Sequence, residues 1–327
     1  MREIQFREAV NEAMSEEMRN DDRVFLMGEE VAEYNGAYKA SKGMLDEFGP
    51  KRVIDTPISE LGFTGIGVGA AMNGLRPIIE FMTWNFAVLA ADQIINSAAK
   101  MLQMSGGQFN VPIVFRGPNG PAGQLAATHS SSFEAMYAHI PGLKVATPFT
   151  PYDAKGLLKA AIRDNDPVLI MESEKMYGDK GEVPEGEYII PLGVAEVMKK
   201  GKDVTIVGYG KILKVALEAA EVLKNEGIEV EIINLRTIRP LDIDTIIQSV
   251  KKTNRLVILD EDVPFAGVSA EISHRVQRLA FDYLDAPVHR ITLADTPFAF
   301  AIPLIEEALP NVKRTVKAVK EVMYIAK

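Results

Sequence analysis

Short apolar runs alternate with helix-like stretches along nearly the whole chain, and this alternation is the strongest constraint on its fold. Residues 24–28 (VFLMG), 52–58 (RVIDTPI), 76–81 (RPIIEF), 111–117 (VPIVFRG), 143–148 (LKVATP) and 167–173 (PVLIMES) read as buried strands. Between them, residues 60–74, 87–104 and 152–165 read as helices. Strands that are apolar on both faces, separated by helices, predict parallel sheets covered on each side. The stretch GDKGEVPEGEYIIPLG, residues 178–193, is rich in Gly, Pro and charge and marks a domain boundary. Beyond it the pattern resumes, with strands at 203–210, 228–235 and 255–262 and helices at 212–227 and 268–281. The expectation is two doubly wound α/β domains, residues 1–180 and 192–327, joined by a linker at 181–191. The opening MREIQFREAVNEAM reads as an amphipathic helix.

Composition narrows the function. The 327 residues suit two domains of ordinary size. There is no cysteine, which excludes disulfides, thiolate catalysis and zinc–thiolate or iron–sulfur sites. A net charge of −9 argues against a nucleic-acid partner or a polybasic membrane footprint. No apolar run approaches the ~20 residues of a membrane span; the best candidate, NFAVLAADQII, is interrupted by Asp92. The N-terminus has neither a signal-peptide core nor the acid-poor character of a transit peptide. These features suit a cytoplasmic protein of bacterial type, or a mature organellar one.

The segment DTPISELGFTGIGVGAAMNG, residues 55–74, carries the sharpest ambiguity. Its glycines imitate a dinucleotide fingerprint, but they fall inside the expected helix rather than at the turn leaving the strand. A helix built from Gly62, Gly65, Gly67, Gly69, Ala70 and Ala71 has almost no side-chain bulk. It suits either close packing on its own sheet or the approach of a cofactor or second chain. Glu60, just past the carboxyl end of a strand, is either a helix-start acid beside a capping Ser59 or a carboxyl placed to handle a proton. GYGKILKVA, residues 208–216, lacks the third fingerprint glycine and reads as a turn in a domain core.

With MSGG, VPIVFRGPNG, HSSSFEAMYAHIPGLKV and INLRTIRPLD following in order, this segment resembles the 2-oxo acid dehydrogenase beta subunits, pyruvate type above all. These belong to the transketolase-like thiamine-diphosphate enzymes. The resemblance implies a pyrimidine-binding domain followed by a transketolase C-terminal domain. It implies that Glu60 hydrogen-bonds the aminopyrimidine ring of thiamine diphosphate and so activates the cofactor for attack on a 2-oxo acid. It implies that Ile58 and Phe86 line the pyrimidine pocket, where residues alone suggest core packing. It places His129 near the substrate and incoming lipoyl group, where residues alone suggest a structural loop histidine. This chain reads H-S-S where relatives often read H-S-Q.

The same resemblance implies a polar passage between two thiamine sites through Glu29 and Asp92. It also implies a potassium-binding turn drawn from Ile113, Ala161, Ile162, Asp164 and Asp166, the last often asparagine in relatives. The residues alone read equally well as surface hydrogen bonding and helix-end turn chemistry. The Gly-Asp-Gly to Asn-Asn pattern that announces a Mg²⁺–diphosphate site is missing from the sequence. The resemblance therefore implies an alpha subunit that holds Mg²⁺, an assembly of two alpha and two beta chains, and docking to a dihydrolipoyl acyltransferase core. The implied activity is oxidative decarboxylation of pyruvate with acetyl transfer to lipoyl-enzyme. Rival readings are a branched-chain 2-oxo acid or acetoin dehydrogenase subunit, a non-catalytic partner subunit, and a nucleotide-binding oxidoreductase.

Overall fold

The computed structural model describes residues 1–325. The chain divides into two compact units, one comprising Met1–Asn119 and Met136–Leu192, the other Gly120–Ala135 and the residues from Gly193 onward. The segment 120–135, flanked in sequence by first-unit residues on both sides, thus belongs to the second unit.

In the first unit, six parallel strands lie in the order Lys144–Ala146, Val168–Glu172, Val114–Pro118, Arg76–Glu80, Val24–Gly28, Val53–Asp55. The strand Val24–Gly28 is buried at every position, as its unbroken apolar sequence predicts. Helix Glu60–Met72 packs on the strand Arg76–Glu80, and helix Phe6–Asn20 packs on helix Pro151–Arg163. The Nζ atoms of Lys155 and Lys159, on side chains almost wholly buried, reach Glu16 from that second interface at 2.5 Å each.

Four expectations need correction. The N-terminal segment is not helical from its start: Arg2–Gln5 is a strand paired antiparallel with Lys180–Val183, and the helix begins at Phe6. The Gln5 amide donates to Glu8 Oε2 at 2.7 Å, which closes the first turn there. Consequently part of the expected linker is sheet. The strand expected over 52–58 stops at Asp55, because Pro57 has no amide to donate to a ladder, so Ile58 sits in the loop before the helix. The single helix expected over 87–104 is broken into Trp84–Ala87, a 3₁₀ turn at Val88–Ala90, a π turn at Gln93–Ala98 and Met101–Met104. No proline marks the break; these turns pack against helix Glu60–Met72, and tertiary packing overrides local propensity.

The second unit holds a five-stranded sheet ordered His289–Ile291, Leu256–Leu259, Val204–Gly208, Val230–Asn234, Glu196–Lys199, parallel except for the last strand. Among its helices are Leu213–Asn225, Ile243–Thr253, Val268–Ala280 and Val312–Val322. Among the described residues no helix is long and apolar enough to cross a membrane.

Candidate functional site

The carboxyl ends of the first-unit strands concentrate its acidic groups, where open parallel sheets place their ligands. Gly28 pairs in register with Asp55 on one side and Glu80 on the other, so Glu29 leaves the sheet at its carboxyl edge. A side chain at Gly28 would put a Cβ 2.5 Å from the Glu80 carbonyl oxygen, so the close backbone approach needs glycine. Thr56 donates its amide to the Gly28 carbonyl at 3.0 Å, carrying the chain from Asp55 toward Glu60 beside the same edge.

Glu60 is the first residue of its helix and is 4% exposed. Ser59 makes no side-chain capping bond, so an ordinary cap does not account for this helix start. The Glu29 carboxyl meets Glu60. Burial first, and the neighbouring Glu60 charge second, push Glu29 up to about 7 from an ordinary 4.5. Glu29 Oε1 is buried and receives no hydrogen bond from a donor group. Two ionised carboxylates are both acceptors, so their contact becomes a hydrogen bond only when one holds a proton. Thr56 Oγ1 and Thr64 Oγ1 are likewise buried and unsatisfied in the same unit. Buried polar atoms of this kind keep hydrogen-bonding capacity for a bound molecule or an ordered water.

Ile58 is 84% exposed, so core packing does not account for it; Phe86 is half-buried. The glycine helix serves two ends. A Cβ at Gly67 would meet Ile79 Cδ1 at 2.6 Å and Ile113 Cδ1 at 3.3 Å, so Gly67 is needed for packing on the sheet. A Cβ at Gly69 would meet nothing within 4 Å, which leaves that position open. The glycines lie within the helix that Glu60 begins, not at a strand-to-helix turn, so the dinucleotide geometry is not formed. Asp92 is exposed and accepts from Asn96 Nδ2 at 2.6 Å, and Asn96 accepts in turn from Lys100 at 2.7 Å.

At the turn after helix Pro151–Arg163, the candidate potassium carbonyls already accept hydrogen bonds. Arg76 donates to the Ile162 carbonyl at 2.9 Å and to that of Asp164 at 2.5 Å. The Ala161 carbonyl accepts from the Asp164 amide and the Ile113 carbonyl from the Val168 amide. Lys144 Nζ lies 2.7 Å from the Asp164 carboxylate and 3.0 Å from that of Asp166. Each carbonyl keeps a second lone pair for a cation. Among the described residues, no group of three or more His, Asp or Glu side chains is arranged to hold a metal ion.

His129 belongs to the second unit, at the end of a 3₁₀ turn, with Nδ1 2.9 Å from Thr128 Oγ1. The turn follows Ala126, whose φ of 62° and ψ of −170° lie in a region that favours glycine. Ser130 Oγ beside it is buried without a hydrogen-bond partner. Ser130, Ser132, Asp262, Leu293, Asp295 and Phe298 help line a cavity of about 450 Å³. Burial pushes Asp262 up to about 6, with the Asp260 charge adding to it. Sequence reading missed this cavity, and it missed the buried contact of Lys211 with Glu261; both depend on loops brought together from distant parts of the chain.

Comparison with known proteins agrees with this architecture. The description "Transketolase, pyrimidine binding domain" matches residues 2–180, and "Transketolase, C-terminal domain" matches residues 193–314. The chain is 56% identical over 322 residues to the pyruvate dehydrogenase E1 component subunit beta of Rickettsia felis, covering 98% of this chain and 99% of that one. This is a pyruvate dehydrogenase E1 beta-subunit family member. The Rhizobium meliloti subunit beta is 58% identical, covering 97% of this chain and 69% of that one. The mitochondrial subunit beta-1 of Oryza sativa is 57% identical, covering 99% and 88%. A solved structure described as a split-gene transketolase, inactive beta4 tetramer, superposes with a TM-score of 0.81 at 22% identity, covering 99% of each chain, a likeness of fold.

Proposed function

We propose that this chain is the pyrimidine-binding subunit of a pyruvate dehydrogenase, catalysing oxidative decarboxylation of pyruvate and acetyl transfer to a lipoyl group. Residues 1–180, apart from the 120–135 segment that falls in the second compact unit, would form its pyrimidine-binding domain and residues 192–327 its C-terminal domain. The observation that carries the reading is the buried Glu29–Glu60 pair, one carboxyl of which is pushed up to about 7, at the ligand edge of a sheet beside exposed Ile58. Thiamine diphosphate, when bound, supplies the electron sink that decarboxylation of a 2-oxo acid requires.

Glu60 would hold the aminopyrimidine ring of the cofactor through a hydrogen bond, its Oε atoms being where a proton can be held or passed. Glu29, with its pKa near 7, is suited to receive and return that proton at neutral pH. Ile58 and Phe86 would present apolar surface to the ring and exclude water from it. His129 offers an imidazole for proton transfer to substrate or acceptor. Asp92 joins Glu29 in a polar passage toward a second site. The diphosphate and its Mg²⁺ belong to an alpha subunit, in a heterotetramer of two alpha and two beta chains that docks on a dihydrolipoyl acyltransferase core. A potassium ion at the turn would take the remaining lone pairs of the Ile113, Ala161, Ile162 and Asp164 carbonyls, with Asp166 alongside. The workplace is a bacterial cytoplasm or the interior of an organelle.

The test is reconstitution with an alpha subunit carrying the Gly-Asp-Gly to Asn-Asn pattern, plus thiamine diphosphate and Mg²⁺. Decarboxylation of pyruvate well above that of 2-oxoisovalerate is expected. Preference for 2-oxoisovalerate would transfer the chain to the branched-chain class, and no turnover with either would favour a non-catalytic partner.

A further inference from the structure

The loop that carries His129 is hydrogen-bonded to both members of a largely buried ion pair at the second-unit sheet. Lys211 follows Gly210, whose φ is 58°, in the turn Gly210–Ile212 after strand Val204–Gly208. Its Nζ donates to the Pro121 carbonyl at 2.6 Å and lies 2.7 Å from Glu261 Oε2, with both side chains 13% exposed. Glu261 in turn receives the far end of the loop: Ser132 Oγ donates to its carbonyl at 3.2 Å. The Gly120 amide donates to the Ser131 carbonyl at 3.2 Å, closing the loop on itself, and Gln124 Nε2 donates to the Phe300 carbonyl at 3.2 Å.

A buried ion pair adds little net stability, because desolvation offsets most of the attraction. Its value is geometric. Lys211 and Glu261 sit on two neighbouring parallel strands' exits and grip the two ends of one loop. Between the gripped ends, Ala126 is held in a sparsely populated backbone region, which persists only where the surroundings over-determine it. The strained residue lies three positions before His129, and the loop supplies Ser130 and Ser132 to the cavity wall.

We propose that Lys211, backed by Glu261, is a positioning residue for His129, fixing the loop that presents the imidazole to substrate or acceptor. The inference rests on the reading that His129 takes part in turnover. Removing the lysine frees the Pro121 carbonyl and the start of the loop, and a misplacement of about 1 Å is enough to cost roughly 100-fold in rate.

The experiment uses the full chain reconstituted with its alpha subunit, thiamine diphosphate and Mg²⁺, with pyruvate and a lipoylated acceptor domain. Lys211→Met should lower kcat by about 10- to 100-fold. Lys211→Arg, which can still donate to Pro121 and pair with Glu261, should recover most of that loss. In a His129→Ala background, Lys211→Met should cost nothing further, because a residue acting through His129 has nothing left to position. Losses that multiply in the double variant, or wild-type kcat in Lys211→Met, would overturn the proposal. Should Lys211→Met fail to fold because Glu261 is left buried and unpaired, Lys211→Met with Glu261→Gln removes that charge and meets the same criteria. Wild-type turnover in His129→Ala would overturn the reading of His129 and this inference with it. Loss in His129→Ala with none in the Lys211 variants would overturn this inference alone.

Discussion

The Glu29 and Glu60 carboxyls meet at the carboxyl edge of the first-unit sheet, and Glu29 is held up to about 7 by burial and by its neighbour's charge. The pairing has a thermodynamic signature. Between its ordinary 4.5 and about 7, Glu29 keeps a proton in the folded chain that it gives up on unfolding. The native state therefore binds more protons in that window, so stability falls as pH rises through it and the full cost is present above about 7. Asp262, raised to about 6, acts with the same sign from the second unit. Glu29→Gln should flatten the fall in thermal midpoint between about pH 4.5 and 7, and the wild-type-minus-variant difference isolates the Glu29 share. An unchanged slope would mean that the Glu29 carboxyl is not raised in the folded chain.

The two glycines of helix Glu60–Met72 should separate packing from assembly. Gly67→Val forces atoms against Ile79 and Ile113, and overpacking of this kind costs about 1–3 kcal/mol, readable by urea denaturation. Gly69→Ala meets nothing within the chain, so the isolated subunit should gain up to about 1 kcal/mol from helix propensity. If this face receives the alpha subunit or cofactor, Gly69→Ala should weaken reconstitution while the isolated chain becomes more stable. Undisturbed assembly would assign the glycine stretch to packing alone.

Arg116 tests the cost of a buried charge network. Its guanidinium bonds Glu172 at 2.8 and 2.6 Å and also bonds Glu80, with all three side chains buried. Arg116→Met leaves the two buried carboxylates without their cation, Glu172 keeping only the Tyr177 hydroxyl at 2.8 Å, and should cost about 3–5 kcal/mol in urea denaturation. Adding Glu80→Gln and Glu172→Gln should restore much of it. A single-variant cost no larger than that of an exposed ion pair would contradict the burial argument.

How far the fold was legible depended on where its determinants lie. Strands such as Val24–Gly28 and Val204–Gly208, buried at every position, announced themselves as continuous apolar runs. The end of the strand at Asp55 was also written locally, in Pro57, but an apolar Ile58 masked it. The breaks around Asp92 were not legible, since they come from packing against a glycine helix rather than from any residue in the broken segment. Nor was the membership of residues 120–135, whose hydrogen bonds to Lys211, Glu261 and Phe300 join segments far apart in sequence. At the candidate site, Glu60 was marked by its place after a strand, and its suggested role came from resemblance. Its meeting with Glu29 follows from strand register, which no single segment encodes.

The central claim is that the Glu60 carboxyl handles a proton for a cofactor shared with another subunit. The most direct measurement is pyruvate turnover by Glu60→Gln in the reconstituted alpha–beta enzyme at saturating thiamine diphosphate and Mg²⁺, with assembly verified. A glutamine keeps size and hydrogen bonding but cannot exchange the proton. The account predicts a loss of at least about 100-fold in kcat. Turnover within about twofold of wild type, too small for a lost acid–base group, would contradict it and leave Glu60 a structural residue.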